Sequence, residues 1–482
     1  MNNTLIFSKY SGCQRAVFSV LFICIMLAAA CNPASQTQEA TVEAPSLAAL
    51  APKPPMGWNS WNSFGIGVTE AQIKAVADYM ASNMKAYGWE YVVVDAGWYH
   101  PPTFPTSEWN EDPEPPQLMD EYGRLIPDTV KFPSAVGGAG FQPIADYVHS
   151  KGLKFGIHIM RGIPWNAAKD KSPILGTAYT ADEVAEANNR CEWTSVMHGI
   201  NMTHPGGMDY YRSIVKLYAD WGVDYIKADD MSRPYRVDEV QGLSKALREH
   251  PRDIVLSLSP GAAPLMAARD LREHAHLWRI SNDFWDSWES LKNMFDLCAI
   301  WAPYITENHW PDADMLPLGK LRKNGVGAWE AGLFNATSEE VTDEYSRLSE
   351  TEQITLMNLW AIFRSPLMMG GYLPENNDFT LSLLINQELL NVNQNSTNNR
   401  VIFQDVEQSV WMADSQQTDE QYLAVFNLSD KKQQLSLTFE RLDLTGTYIF
   451  GELWSGEEQT WEDNFTIALE PHASAMYKLR KK

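Results

Sequence analysis

Tyr225-Ile226-Lys227-Ala228-Asp229 is a short apolar run with one lysine inside it and an acid at its end. Amphipathic stretches flank it, Tyr210–Trp221 before and Val237–Glu249 after. That pattern reads as a buried strand between two helices. It recurs along the chain. Met56–Trp61, Tyr91–Asp95, Lys154–Ile159, Ile254–Leu258 and Leu277–Ser281 are strands of the same type. Thr69–Tyr87, Ala139–Lys151 and Ala262–Glu273 are further helical patterns. In the first of these, Ala75, Val76, Tyr79, Met80 and Met84 return at helical spacing. Repeated strand-then-helix units over 55–395 predict an α/β fold with a parallel sheet. Eight such units close a (β/α)8 TIM barrel, which gathers the residues at the strand C-terminal ends on one face. Asp95, His158, Asp229, Ser259 and Asp283 all fall at such ends.

From 396 to 482 the pattern changes. Val401–Phe403, Ser409–Ala413, Tyr422–Phe426, Gln434–Phe439, Tyr448–Glu452 and Ala475–Leu479 are short β-type runs between turn residues. They predict a small antiparallel β-sandwich that packs on the barrel, with glycan binding as the alternative role.

Residues 1–31 read as a targeting segment. Lys9 and Arg15 precede the apolar run Val17–Ala30, which is too short for a comfortable membrane span. Leu27-Ala28-Ala29-Ala30-Cys31 resembles a bacterial lipoprotein cleavage site, with Ala28 where Leu is usual. The expectation is a lipidated Cys31 and an extracytoplasmic, membrane-anchored protein facing the periplasm or the cell surface. A plain secretory leader is the alternative. Residues 32–54, rich in Ala, Pro, Ser, Thr and Gln, read as a flexible tether. Past the leader only Cys191 and Cys298 remain, either bridged or as separate buried thiols. Neither has metal-ligand spacing, and no metal or cofactor is expected.

The net charge of −23 over 482 residues excludes nucleic acid and an anionic membrane surface as partners, since both need a cationic face. The 18 Trp serve either as core or as platforms for sugar rings.

The chemistry rests on two acids. Asp229 and Asp283 lie 54 positions apart on separate strand ends, with Lys227 and Arg279 close to them in sequence. A carboxylate pair held on two strands is what glycosidic cleavage with retention requires. Lys227 and Arg279 are expected to lower the pKa of Asp229, and a drier wall to raise that of Asp283. Asp230 and Asp286 are the rivals. Alternation along a strand points Asp229 and Asp230 to opposite sides, and Asp286 reads as a helix cap.

Pro54-Pro55-Met56-Gly57-Trp58-Asn59-Ser60-Trp61 resembles the opening strand of the α-galactosidase (melibiase) family, glycoside hydrolase family 27. The resemblance continues in order through Lys227-Ala228-Asp229, Trp278-Arg279 with Asp283, and Trp310-Pro311-Asp312-Ala313-Asp314-Met315-Leu316. Pro366–Gly371 and Leu384–Glu388 follow, and the C-terminal β domain matches as well. It implies Asp229 as nucleophile and Asp283 as general acid, then general base. It implies that Lys227, Arg279 and Asp95 hold sugar hydroxyls, and that Trp61, His158, Ser259, Asp314 and Met315 shape the pocket. Three positions depart from the family. Asp95-Ala96 replaces a pair of acids, Ser259-Pro260 replaces Glu or Ser before Trp-Pro, and 160–205 is a long insertion containing Arg161, Trp165, Arg190, Trp193 and His198. The implied activity is a retaining exo-glycosidase on terminal α-galactose-configured residues of oligo- or polysaccharides. The alternatives are an α-N-acetylgalactosaminidase, a β-L-arabinopyranosidase and a catalytically silent glycan-binding lipoprotein.

Overall fold

Alternation sorts every barrel strand into two faces. The strands are β1 Met56–Asn59, β2 Tyr91–Val94, β3 Lys154–Met160, β4 Tyr225–Asp229, β5 Val255–Leu258, β6 Leu277–Arg279, β7 Trp310–Asp312 and β8 Leu367–Met369. The computed structural model describes residues 49–102, 115–321 and 345–482. The predicted leader 1–31, Cys31 and most of the tether 32–54 lie outside the described residues.

All neighbouring strands pair in parallel, in the order β7-β6-β5-β4-β3-β2-β1-β8. The two ends join just past β7. Leu316 bridges Met369, donating its N–H to the Met368 carbonyl at 2.7 Å and accepting from Gly370 at 2.9 Å. Val92, Val94, Ile157, Ile159, Ile226, Ala228, Leu256 and Leu258 face outward into the main core under the helices. Tyr91, Val93, Tyr225, Val255, Leu277, Trp310 and Met368 face inward and fill the barrel. One step further along the same inward rows stand Asp95, Lys227, Ser257 and Arg279. The interior therefore changes from apolar to charged toward the C-terminal end.

The helices between the strands include α1 Glu70–Asn83, α2 Gln142–Ser150, α3 Pro205–Asp220, α4 Val237–Glu249, α5 Ala268–His274, α6 Trp288–Trp301 and α7 Glu350–Phe363. Capping boxes, Thr69 with Gln72 and Ser349 with Glu352, fix the starts of α1 and α7. The predicted helix 262–273 begins later. Pro264 opens a 3-10 turn over Leu265–Ala267, and only then does α5 run. In the 160–205 insertion, Ile163–Pro164, Met197–Ile200 and Ala185–Arg190 form a three-stranded antiparallel sheet.

The C-terminal strands are β9 Ser396–Gln404, β10 Gln408–Ser415, β11 Gln421–Asn427, β12 Gln433–Thr438, β13 Thr447–Glu452, β14 Glu458–Glu462, β15 Asn464–Leu469 and β16 Ser474–Lys481. One sheet runs β9-β10-β11-β16-β13-β14 and the second is β12 with β15, enclosing Leu435, Leu437, Phe450 and Phe465. The polar β14 and the partly apolar β15 were not among the expected strands. The sandwich docks on the barrel through α6 and α7. Trp288 stacks on His472 at 3.8 Å between ring centroids, and Thr355 donates to the His472 carbonyl. Cys191 and Cys298 are buried and free, which resolves the two readings in favour of separate thiols.

Gly57 lies beside Tyr91 where β1 pairs with β2, and a Cβ there would stand 2.5 Å from the Tyr91 carbonyl oxygen and 2.6 Å from its Cβ. Gly57→Ala is expected to destabilise the fold by about 1–3 kcal/mol, read as a lower urea midpoint.

Candidate active site

The charged layer at the top of the barrel opens into a cavity of about 610 Å³. Its floor is built around Asp95 and Lys227. The Asp95 carboxylate accepts from Asn59 Nδ2 at 2.6 Å and from Lys227 Nζ at 2.8 Å, while its own N–H donates to Ser60 Oγ. Burial alone would raise the Asp95 carboxyl. Lys227 and His158, with these hydrogen bonds, overturn that and hold it well below the usual carboxylate range. Burial would likewise lower Lys227, but Asp95, Asp229 and Asp314 push it up to about 12.

Asp229 ends β4 and points into the cavity. His158 Nε2–H donates to its Oδ2 at 3.0 Å. Its Oδ1 accepts from the Asp230 N–H at 3.0 Å and lies 3.4 Å from Ser259 Oγ. Arg279, at the end of β6, reaches Asp314 Oδ2 at 2.7 Å and Asp283 Oδ1 at 3.2 Å. Burial raises the carboxyls of Asp312 and Asp314, the latter to about 6, although Arg279 pulls both down. Asp314 turns the chain with φ +84° and also accepts the Phe284 N–H at 2.8 Å.

Asp230 points the other way, as alternation requires. It is fully buried and meets Arg161 at 2.7 Å; the same guanidinium holds Glu239, which also accepts from Tyr211 Oη at 2.9 Å. The Arg161 N–H donates to the Asp229 carbonyl at 3.0 Å. This buried network fastens the insertion to the strand end that carries Asp229. Trp193, Thr194 and Val196 then reach the cavity from that insertion.

Trp61, Asp95, Lys227, Asp229, Ser259, Arg279, Asp283, Asp314 and Met315 all line the cavity. His158 does not; it is fully buried behind Asp229 and touches that carboxylate from the far side. Lys227 and Arg279 make their ion pairs with Asp95, Asp314 and Asp283, and Asp229 accepts from His158, the Asp230 N–H and Ser259 Oγ. Two expectations need correction. Asp283 stands at the mouth with a side chain 59% exposed, so no dry wall surrounds it. Asp286 is no cap: Ser287 caps α6, and Asp286 is buried against Arg347. The cavity also includes Tyr99, Arg233 and Trp285, which sequence reasoning passed over. Trp285 stands two positions after Asp283 and Arg233 four after Asp229, so adjacency to the acids was the available signal.

Asp95→Ala strands Lys227 without its partner. The expected cost is about 3–5 kcal/mol at pH 7. Because the folded pKa of Asp95 is depressed, its stabilisation is present above the unfolded value near ~4 and is lost as pH falls through the folded value. Thermal melts at a series of pH values should show the wild-type advantage shrinking only below about pH 4.

A family model described as Alpha galactosidase A matches residues 53–168 and 192–395, and the Alpha galactosidase C-terminal beta sandwich domain matches 405–479. The gap in the first match falls inside the insertion. Alpha-galactosidase 2 from Arabidopsis thaliana is 26% identical, covering 90% of this chain and 91% of that one. The crystal structure of a GH27 β-L-arabinopyranosidase from Geobacillus stearothermophilus is 42% identical, with TM-score 0.83, over 89% of this chain and 97% of that one. A variant of the Geobacillus enzyme in complex with arabinose superposes with TM-score 0.84 at the same identity, over 90% and 98% of the two chains. With both domains matched in sequence and the barrel closed as described, the chain belongs to the alpha-galactosidase A family of glycoside hydrolases, GH27.

Proposed function

We propose that the protein hydrolyses terminal galactose-configured pyranosides with retention, and that its preferred sugar is the five-carbon member, a β-L-arabinopyranoside. The observation that carries this reading is the cavity wall at Asp95-Ala96. The remaining acid is committed to Lys227, Asn59 and the Ala96 N–H, and a methyl group occupies the place of the family's second acid. A β-L-arabinopyranoside has the ring configuration of an α-galactoside without its hydroxymethyl arm. A wall short of one acceptor loses less with that sugar than with galactose. Similarity to the Geobacillus arabinopyranosidase supports the same choice.

Asp229 attacks the anomeric carbon while Asp283 gives a proton to the departing oxygen, and a covalent glycosyl-enzyme forms. Asp283, now a carboxylate, then takes a proton from the incoming water, whose oxygen displaces Asp229. His158 and the Asp230 N–H hold the two oxygens of Asp229 in a fixed plane. Exposure of Asp283 at the mouth suits a group that meets leaving group and water in turn. Lys227, Asp95 and Arg279 supply the hydroxyl contacts at the floor. No observation favours the silent glycan-binding alternative. The leader composition supports export and a lipid anchor at Cys31, as an extension of this proposal.

Aryl β-L-arabinopyranoside, α-D-galactopyranoside and α-N-acetylgalactosaminide should be compared by kcat/KM. The expected order places the arabinopyranoside first, and faster turnover of either hexoside overturns the sugar assignment. Asp229→Ala should abolish turnover, and Asp283→Ala should lower kcat by about 10²–10⁴-fold, most on poor leaving groups. The anomer released first, read by NMR, should keep the substrate's configuration. Separately, Cys31→Ala should abolish incorporation of a labelled fatty acid into the protein and free it from the membrane fraction.

A further inference from the structure

The cavity holds three cations, and they are not equivalent. Lys227 and Arg279 lie deep, each neutralised by acids. Arg233 is exposed at the mouth and lines the same cavity. Among the described residues it makes no hydrogen bond and no ion pair, in a chain of net charge −23. Its position is nonetheless built. Gly261, at φ +74°, leaves the space in which the guanidinium lies: a Cβ there would stand 2.5 Å from Arg233 Nε and 3.1 Å from its Cδ. Trp193 and Trp285 line the cavity as well, both partly exposed, one from the insertion and one just past Asp283.

Depth orders these groups. The terminal sugar occupies the buried floor, so the leaving group lies outward, beside Asp283 and the two indoles. We infer that Arg233, with Trp193 and Trp285, forms a leaving-group subsite for a sugar ring that carries an anion, a carboxylate or a sulfate ester. This rests on the glycosidase reading above and adds the chemistry of the glycan behind the cleaved bond. Indole faces take the apolar face of a pyranose, and a guanidinium matches a carboxylate or sulfate with paired N–H donors. The acids around the mouth would repel such a ring, and Arg233 offsets that repulsion where it counts. A neutral ring could accept hydrogen bonds from the same guanidinium, but only an anion also meets its charge.

The test uses the protein from residue 50 onward and three probes that do not share the galactose configuration: D-glucose, D-glucuronate and D-glucose 6-sulfate. Calorimetry measures binding of each at two salt concentrations. The expected result is at least about fivefold tighter binding of an anionic probe than of glucose, weaker at high salt. The two anions distinguish a uronate glycan from a sulfated one. The preference should vanish in Arg233→Gln and return in part in Arg233→Lys. Arg480→Gln, which removes an equal charge from an exposed pair with Glu458 in the C-terminal sandwich, should leave it intact. Equal binding of anionic and neutral probes, or a preference that survives Arg233→Gln, overturns the subsite. Turnover of neutral aryl glycosides without anion preference leaves the glycosidase reading standing and removes only the subsite. Anion preference without turnover of any glycoside removes the glycosidase reading and, with it, the leaving-group assignment.

Discussion

Lys227 and Asp95 meet 2.8 Å apart at the top of the barrel interior, where neither has enough water to carry its charge alone. Removing charges from water costs several kcal/mol each, on the order that only a close, hydrogen-bonded partner offsets. The barrel meets that cost by placing β2 and β4 on either side of β3, so that two strand ends converge on one pair. The rest of the floor is arranged around it. Asn59 completes the Asp95 carboxylate, Ser60 holds its backbone, and Asp229 adds to the field on Lys227. The lysine is thereby fixed as a charged donor in a dry place, which a flexible surface lysine could never be.

The adjacent residues Asp229 and Asp230 divide two jobs between the faces of one strand. Asp229 looks inward to the cavity, held by His158 and the Asp230 N–H. Asp230 looks outward into a closed network with Arg161 and Glu239. Burial raises both of those acids, and Arg161 works against it. The insertion is thus not a loose cover. It is clamped to the backbone of the residue it overhangs, and Gly162 and Gly199 allow the clamp because side chains there would strike His198 and Arg161.

Much of this was legible in the sequence. Period-two alternation in Tyr225–Asp229 and its relatives gave both the barrel and the direction of each acid. Six of the eight barrel strands carried long enough apolar runs to be seen. The strand β7 contains Pro311 at its centre and β8 follows directly on Pro366, so neither offered a strand pattern apart from the family motif. The residues singled out near motifs, all but His158, line the cavity; Arg233 and Tyr99 were not foreseen, because a loop residue's approach to a cavity depends on how distant segments fold. The same limit explains the ion pairs. Sequence placed two cations near two acids, but the partners were set by strand order around the barrel, which proximity along the chain does not reveal.

The seam of the barrel carries a consequence for how the site comes into being. The last joint is one bridge, Leu316 to Met369, rather than a full strand pairing, and the segment that makes it also carries Asp314 and Met315. Until that joint zips, Arg279 lacks its deepest partner and the cavity has no far wall. Circularisation of the chain and assembly of the pocket are therefore a single event. The residues that close the ring are thus the residues that complete the pocket, so the wall of the site is only as firm as the seam.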